Sequence, residues 1–288
     1  MTKNFFPIIS ILCFIIFVWY IFSVVLNSSW ALDKAERSSK TLTFKELVAD
    51  TWSQKKPKLP APHQVFSEIW DTTFNKKITS KRSLVYHGWI TFSATVAGFV
   101  FGTALGVILA IAIVHDRATD LSVMPWIITS QTIPILALAP MIIVVLGSIG
   151  FTGLMPKAVI SMYLSFFPVV VGMVKGLRSP EILEIDLMRT WSASRSQIFF
   201  KLRIPKSLPY FFTSLKLGMA ASLVGAIVGE LPSGAIAGLG ARMLAGSYYG
   251  QTIQIWSALF SAAILAATLI SVISLIQRIV LKRMAWSG

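Results

Sequence analysis

Glu230 ends the apolar run 209–230 and is the one carboxylate within or at the edge of a long apolar segment. A charge at that depth has to face a bundle interior or water, so Glu230 is either a structural ion-pair or hydrogen-bond partner or part of a gate. Arg242, in the following loop, is a candidate partner. Gln131 and Thr132 lie inside one apolar segment, and Ser165, Phe166 and Phe167 inside the next. Such residues can line the path of a small polar solute, or equally form interhelical hydrogen bonds and lipid-facing rings. His63, His87 and His115 are scattered, with no H-E-x-x-H or comparable ligand spacing. Cys13 is the single cysteine and sits in an apolar run, so one chain holds neither a disulfide framework nor a cysteine-based metal site. No G-x-x-x-x-G-K-[ST] occurs, and the Gly-rich stretch 230–242 is not a phosphate cradle. The chain thus carries no catalytic constellation and no cofactor site.

The charged residues that do stand out are grouped in one stretch. Residues 177–208 form a charged, turn-containing interruption between apolar segments, and such a stretch belongs in water beside a membrane. Ser179-Pro180-Glu181 predicts a helix start, with Ser179 as N-cap, Pro180 at the first helical position and a carboxylate at the positive end of the dipole. Leu183, Leu187 and Trp191 recur at i, i+4 and i+8 and give that helix one apolar face. A second helix starts at Ser194, where Gln197 completes a capping-box pattern, and Pro205 is expected to stop or bend it.

This stretch resembles the cytoplasmic "EAA" loop of bacterial ABC-importer permeases, written E-A-A, three residues, G, nine residues, I-x-L-P. Asp186 stands at the Glu, Leu187 and Met188 at the two alanines, Ser192 at the Gly, and Leu202-Arg203-Ile204-Pro205 at the closing motif. The flanking Arg189, Ala193, Ser194 and Arg195 are typical of the family. Ser192 departs from a Gly that would supply a left-handed turn residue, at a cost of about 1 kcal/mol or somewhat more. Leu187 and Met188 are bulkier than the usual alanines and reshape the partner surface. Leu59-Pro60-Ala61-Pro62, with Val65, resembles the entry to the core domain in the nitrate, sulfonate and taurine branch, whose related members carry pyrimidine-type thiamine precursors. The resemblance implies an all-α permease of the type I importer fold with no enzyme activity of its own. It further implies a second permease copy, a cytoplasmic ATPase dimer that binds ATP and magnesium, and an outside solute-binding protein.

Composition sets the class independently. At 55% hydrophobic, 13% charged and mean hydropathy +0.72, 288 residues make a polytopic membrane protein. The basic residues behind the net charge of +14 cluster outside the apolar runs, which fits membrane topology rather than nucleic acid. A hydrocarbon core of about 30 Å takes about 20 residues per helix, and spans are expected near 5–26, 88–114, 122–147, 157–175, 209–230 and 255–279. The first reads as an uncleaved anchor, with a weak cleavage-site match at Ser29-Trp30-Ala31 as the alternative. This predicts an anchor over 1–26, an outside linker over 27–86, a core over 87–281 with the coupling loop 177–208, and a tail over 282–288.

With both termini cytoplasmic, Arg117, the loop cations from Arg178 to Lys206, and Arg278, Lys282 and Arg283 fall inside the bacterial inner membrane. Only Lys157 and Arg242 fall in short outside loops. The linker opposes this count with eleven basic residues against six acidic ones, although long loops are poor topology signals. Within it, Val65, Phe66, Ile69, Trp70 and Phe74 predict an amphipathic interfacial helix. Gly98, Gly102 and Gly106, like Gly225 and Gly229, read as close-packing positions, and Pro134, Pro140 and Pro168 as kinks. Two functions contend: an ABC-importer permease, and an ion-coupled carrier acting alone. The carrier class generally shows inverted repeats and several intramembrane charges, which are not evident here. The topology is testable in a Cys13→Ala background with an impermeant thiol reagent. Lys56→Cys is expected to label in intact spheroplasts and Lys201→Cys only after lysis; the reverse pattern would invert the orientation.

Overall fold

The computed structural model describes residues 5–39, 42–232 and 237–285. The described residues are helical, with no strand among them. They divide into two compact units, Met1–His87 with Ala241–Ala262, and Gly88–Gly240 with Ala263–Gly288.

The first unit contains α1 (Phe5–Arg37), α2 (Phe44–Ser53) and α3 (Pro62–Trp70), which a π-helical turn extends over Asp71–Asn75. It also holds most of α11 (Leu239–Tyr248) and the start of α12 (Thr252–Ala285). α1 runs well beyond the expected 5–26, because residues 27–37 contain no Gly or Pro, and Lys34 and Arg37 complement the negative end of its dipole. α2 is an addition to the expected linker, and its start is marked by Glu46 accepting the Thr43 N–H at 2.8 Å. The Pro-rich stretch behind it is tied down by buried Asn27. The Asn27 carbonyl accepts from the Lys58 and Leu59 N–H groups at 2.7 and 3.2 Å, and its amide donates to Leu59 O at 2.8 Å. Trp19 Nε1 donates to Pro60 O at 3.0 Å. Extended backbone that cannot pair with itself is therefore paired with α1.

The second unit is built around α7 (Leu154–Leu177), which lies between α4 (Leu84–His115) and α10 (Ile204–Val228). Gly98, Gly102 and Gly106 of α4 face Ser161, Ser165 and Val169 of α7 so closely that an added Cβ would sit 2.3, 2.0 and 2.8 Å from their side chains. On the other side Gly225 and Gly229 of α10 meet Ser161 Cα and Lys157 Cα, while Gly172 and Gly176 of α7 meet Ser214 and Ser207. Hydroxyls lace the seam: Ser161 Oγ donates to Ser222 O at 2.6 Å, and Ser222 Oγ to Thr95 O at 2.7 Å. Close backbones and satisfied hydroxyls are how helices associate where lipid removes the hydrophobic drive.

The pairing order along this seam also decides the course of the chain. Positions rise together on α4 and α7, so these helices are parallel; they run in opposite order on α7 and α10, which are antiparallel. The segment between α4 and α7 must return from the far end of one to the near end of the other. That segment is α5 (Arg117–Ser130) and α6 (Ile135–Ser148), bent by 99°. The expected span 122–147 is thus broken rather than kinked. Ile127 of α5 packs in one core cluster with Val170 and Met173, and Ala139 of α6 in another with Ile160 and Val228. The two halves therefore cover different lengths of α7. Pro134 has no N–H to continue α5 and caps α6 instead. Tyr163 of α7 donates its hydroxyl to Ser130 O, a carbonyl freed by the break. Among the described residues five single helices are long and apolar enough to cross a membrane, or six if the bent pair is one span. Gly98→Ala is expected to lower the melting temperature of the purified protein by roughly 4–8 °C through overpacking. Gly88→Ala, with open space around its Cβ, should leave it unchanged; equal effects of the two would refute the seam.

Candidate functional site

Two places on the second unit carry the candidate residues, at opposite ends of α7 and α10. At one end α7 leads into the charged loop. Ser179 does not start α8, because its N–H closes the last turn of α7 on Gly176 O at 3.1 Å. The cap is Glu181, whose N–H is accepted by Glu184 at 2.9 Å, and α8 runs Ile182–Thr190. The Lys206 ammonium, and after it the Glu181 N–H, hold the Glu184 carboxyl below its ordinary range. Arg178 pairs with Asp120 at 2.7 Å, which ties the loop's entry to α5.

The turn is as the spacing requires. Ser192 has φ +57°, its N–H donates to Arg189 O at 2.8 Å, and the Ala193 N–H reaches back to Met188 O at 3.0 Å. This is the left-handed helix stop that glycine fills most cheaply. Ser194 then caps α9 (Arg195–Ile198): its Oγ accepts the Gln197 N–H at 3.3 Å and Gln197 accepts its N–H at 2.8 Å. Pro205 neither stops nor ends this helix. A π-helical turn over Phe199–Arg203 carries α9 into α10, and Pro205 lies in the first turn of α10, just after that change of bonding pattern. Ile204 follows the turn directly.

The outer face of the loop is unsatisfied. Ile182, Leu183, Leu187 and Trp191 are exposed, Trp191 at 73%, beside the exposed Asp186–Arg189 pair at 3.1 Å and exposed Arg195. Its underside is fixed: Ile198 and Phe199 are buried, and Phe199 meets the His115 ring at 4.7 Å.

At the other end Glu230 is fully buried. Its partner is Lys157, at 3.8 Å, and not Arg242. Lys157, expected in an outside loop, is buried in the first turn of α7 and donates to Ala237 O at 2.9 Å. The Glu230 carboxylate also accepts from Thr91 Oγ1 and from the Gly240 N–H, both at 2.9 Å, while Thr91 Oγ1 accepts the Leu239 N–H at 2.9 Å. Gly238, at φ +131°, lies against the carboxylate, and an added Cβ would come within 2.1 Å of Cδ. Three helices thus converge on one carboxylate that stitches down Ala237–Gly240. Sequence reading missed Lys157, Thr91 and Gly238; the Gly-Leu-Gly at 238–240 was the available signal. Ser233–Ile236 of the expected Gly-rich loop lie outside the described residues. In the first unit Arg242 is buried and pairs with Glu68 at 3.1 Å and Arg82 O at 2.8 Å, since the guanidinium needs acceptors and α3 and the backbone before α4 supply them.

The other path candidates separate. Gln131 and Thr132 sit in the break between α5 and α6, not mid-helix, and both hydrogen-bond locally, to Ser130 Oγ and Thr129 O. Phe166 is buried in the core around Val169 and Val170. Phe167 lines a groove of about 550 Å³ between α7 and α10, with Val171, Lys175, Tyr210 and Thr213. Lys175 lies 5.9 Å over the Tyr210 ring.

The five helices among the described residues that are long and apolar enough to cross a membrane, or six if the bent pair is one span, together with an exposed two-helix loop, are the features of a membrane permease subunit. The chain belongs to the binding-protein-dependent transport system inner membrane component family, whose profile matches residues 102–286. It is 30% identical over 182 residues to formylaminopyrimidine transport permease protein ThiX of Halalkalibacterium halodurans, covering 63% of this chain and 68% of that one. It is 29% identical over 224 residues to riboflavin transport system permease protein RibX of Chloroflexus aurantiacus, covering 78% and 80%. It is 25% identical over 210 residues to putative aliphatic sulfonates transport permease protein SsuC of Bacillus subtilis, covering 73% and 74%. The chain is therefore a membrane-embedded permease of the ABC-transporter class.

Glu230→Gln and Lys157→Met are each expected to speed amide exchange at Leu239 and Gly240 by at least about tenfold, with α7 and α10 unchanged. Wild-type protection in both variants would show that the ion pair does not hold this segment.

Proposed function

We propose that this chain imports a small solute through the bacterial inner membrane, driven by a separate cytoplasmic ATPase dimer that binds the ATP and magnesium. The exposed apolar and charged face of α8 and α9 carries this reading. A water-exposed loop that presents Ile182, Leu183, Leu187 and Trp191 on a rigid base needs a protein cleft to cover it. Asp186, Met188, Arg189, Ser192, Ala193, Ser194 and Arg195 form the docking surface, and Ile204 and Pro205 pass its movement into α10. A second copy of the chain completes the pathway and an outside solute-binding protein delivers the cargo.

The segment stitched to Glu230 is the outer gate in this scheme, with Arg242 holding the neighbouring α11 to α3. Phe167 and the break at Gln131 and Thr132 face the pathway, and buried Phe166 supports it. Two relatives near 30% identity are named for heteroaromatic cargo, formylaminopyrimidine and riboflavin, and others for sulfonates and nitrate. We assign this chain to that range of small polar solutes, with the choice made largely by the binding protein. Thermal-shift screening of the cognate binding protein against these classes identifies the cargo.

Charge reversal at Arg189 or Arg195 is expected to cut co-purification of the ATPase, or transport-coupled ATP hydrolysis, at least about tenfold, the scale of one lost charged contact in a docking interface. The permease itself should accumulate normally in the membrane. Full assembly and full coupling in both variants would remove the loop from the ATPase interface.

A further inference from the structure

The geometry points to a lipid-recognition surface on the first unit, where α3 seats its aromatic face in the headgroup boundary and Lys77, Lys81 and Arg82 bind anionic phospholipid headgroups. Phe66, Trp70 and Phe74 form a continuous ladder along α3 and the π-helical turn, with ring centroids 6.3 and 4.5 Å apart. All three are exposed, at 66, 53 and 66%, as is Ile78 just beyond. An apolar face of this size has to be covered, and the position of α3 says by what.

The start of α3 is pinned to α1 by His63, which stacks on Tyr20 at 5.9 Å and bonds its hydroxyl at 3.2 Å. Tyr20 lies six residues before Leu26, the end of the apolar run of α1, or about 9 Å along a helix rising 1.5 Å per residue. Interfacial helices sink their apolar face about 5–10 Å into the headgroup boundary. Trp19, Trp52 and Trp256 gather at the same level, Trp19 and Trp256 at 5.1 Å and Tyr20 and Trp52 at 5.1 Å, as the aromatic belt at a membrane interface does. The depth therefore selects lipid rather than water.

Charge then selects the kind of lipid. The carboxylates next to the ladder are taken, Glu68 by Arg242 and Asp71 by Lys76 at 3.2 Å. Lys77, Lys81 and Arg82 follow within eight residues of Phe74 and are exposed. Clustered cations beside an inserted apolar face attract anionic headgroups. These three cations are part of the linker's basic excess, which opposes the positive-inside count, and their lipids hold them at the surface.

The test uses the full chain in nanodiscs, in a Cys13→Ala background, with a bimane label at Ile78→Cys or, as the water-exposed reference, Ser38→Cys. Brominated phosphatidylglycerol and brominated phosphatidylcholine are compared at equal mole fraction. Both are expected to quench the label at 78 but not at 38, and the anionic lipid at least about threefold more strongly. That preference should vanish in the Lys77→Gln, Lys81→Gln, Arg82→Gln variant, and should fall in the unaltered charge background at high salt. No quenching at 78, equal quenching by the two lipids, or a preference that survives both treatments would overturn the assignment. So would a crosslink between Ile78→Cys residues of two chains, or loss of quenching when the binding protein is added, each of which would give the face to a protein. The readout needs neither ATP nor transport, so it stands or falls separately from the proposed import function.

Discussion

α7 is held between α4 and α10 at distances that leave no room for a side chain at Gly98, Gly102 or Gly225. In lipid, apolar side chains gain nothing by leaving the solvent, so helices stay together through close contact and internal hydrogen bonds. Small residues and serines on α7 and its neighbours supply both. The rest of the second unit follows from this seam. It sets the helix directions, forces the intervening segment to cross, and leaves the broken pair α5–α6 to cover α7 in two halves.

The same seam gives the protein a mechanical connection. α10 begins at the π-helical turn below the charged loop and ends at the Glu230 cluster, and α7 begins with Lys157 and ends at the loop's entry. Close-packed helices shift as bodies rather than deform continuously. In the proposed function, two antiparallel rods would carry movement at the loop to the far end. The two ends are chemically opposite. At Glu230 the carboxylate, Lys157 and Thr91 have partners within the second unit, while on α8 Ile182, Leu183 and Leu187 are exposed.

Much of this was legible in the sequence because the membrane reduces folding to a few strong rules. Apolar runs of sufficient length marked the spans, Gly at every fourth position marked the seam, and the Ser194–Gln197 spacing marked the start of α9. The left-handed turn at Ser192 was implied by the resemblance, which sets a Gly at that position. Glu230 stood out because a carboxylate there requires a partner.

The identity of that partner was decided by tertiary structure. Arg242 is nearer in sequence, but Lys157 is brought in by the register of α7 against α10, a long-range property that no local pattern records. The break at Gln131–Pro134 belongs to the same class: a proline permits a kink or a break, and Tyr163, reaching across to a freed carbonyl, belongs to the packing that admits the break. The sequence by itself determined which segments are apolar and long enough to span and where α9 starts, because these depend on hydration and on neighbours within a turn. Only the three-dimensional packing decided which buried polar groups meet, because their energies depend on contacts made across tens of residues.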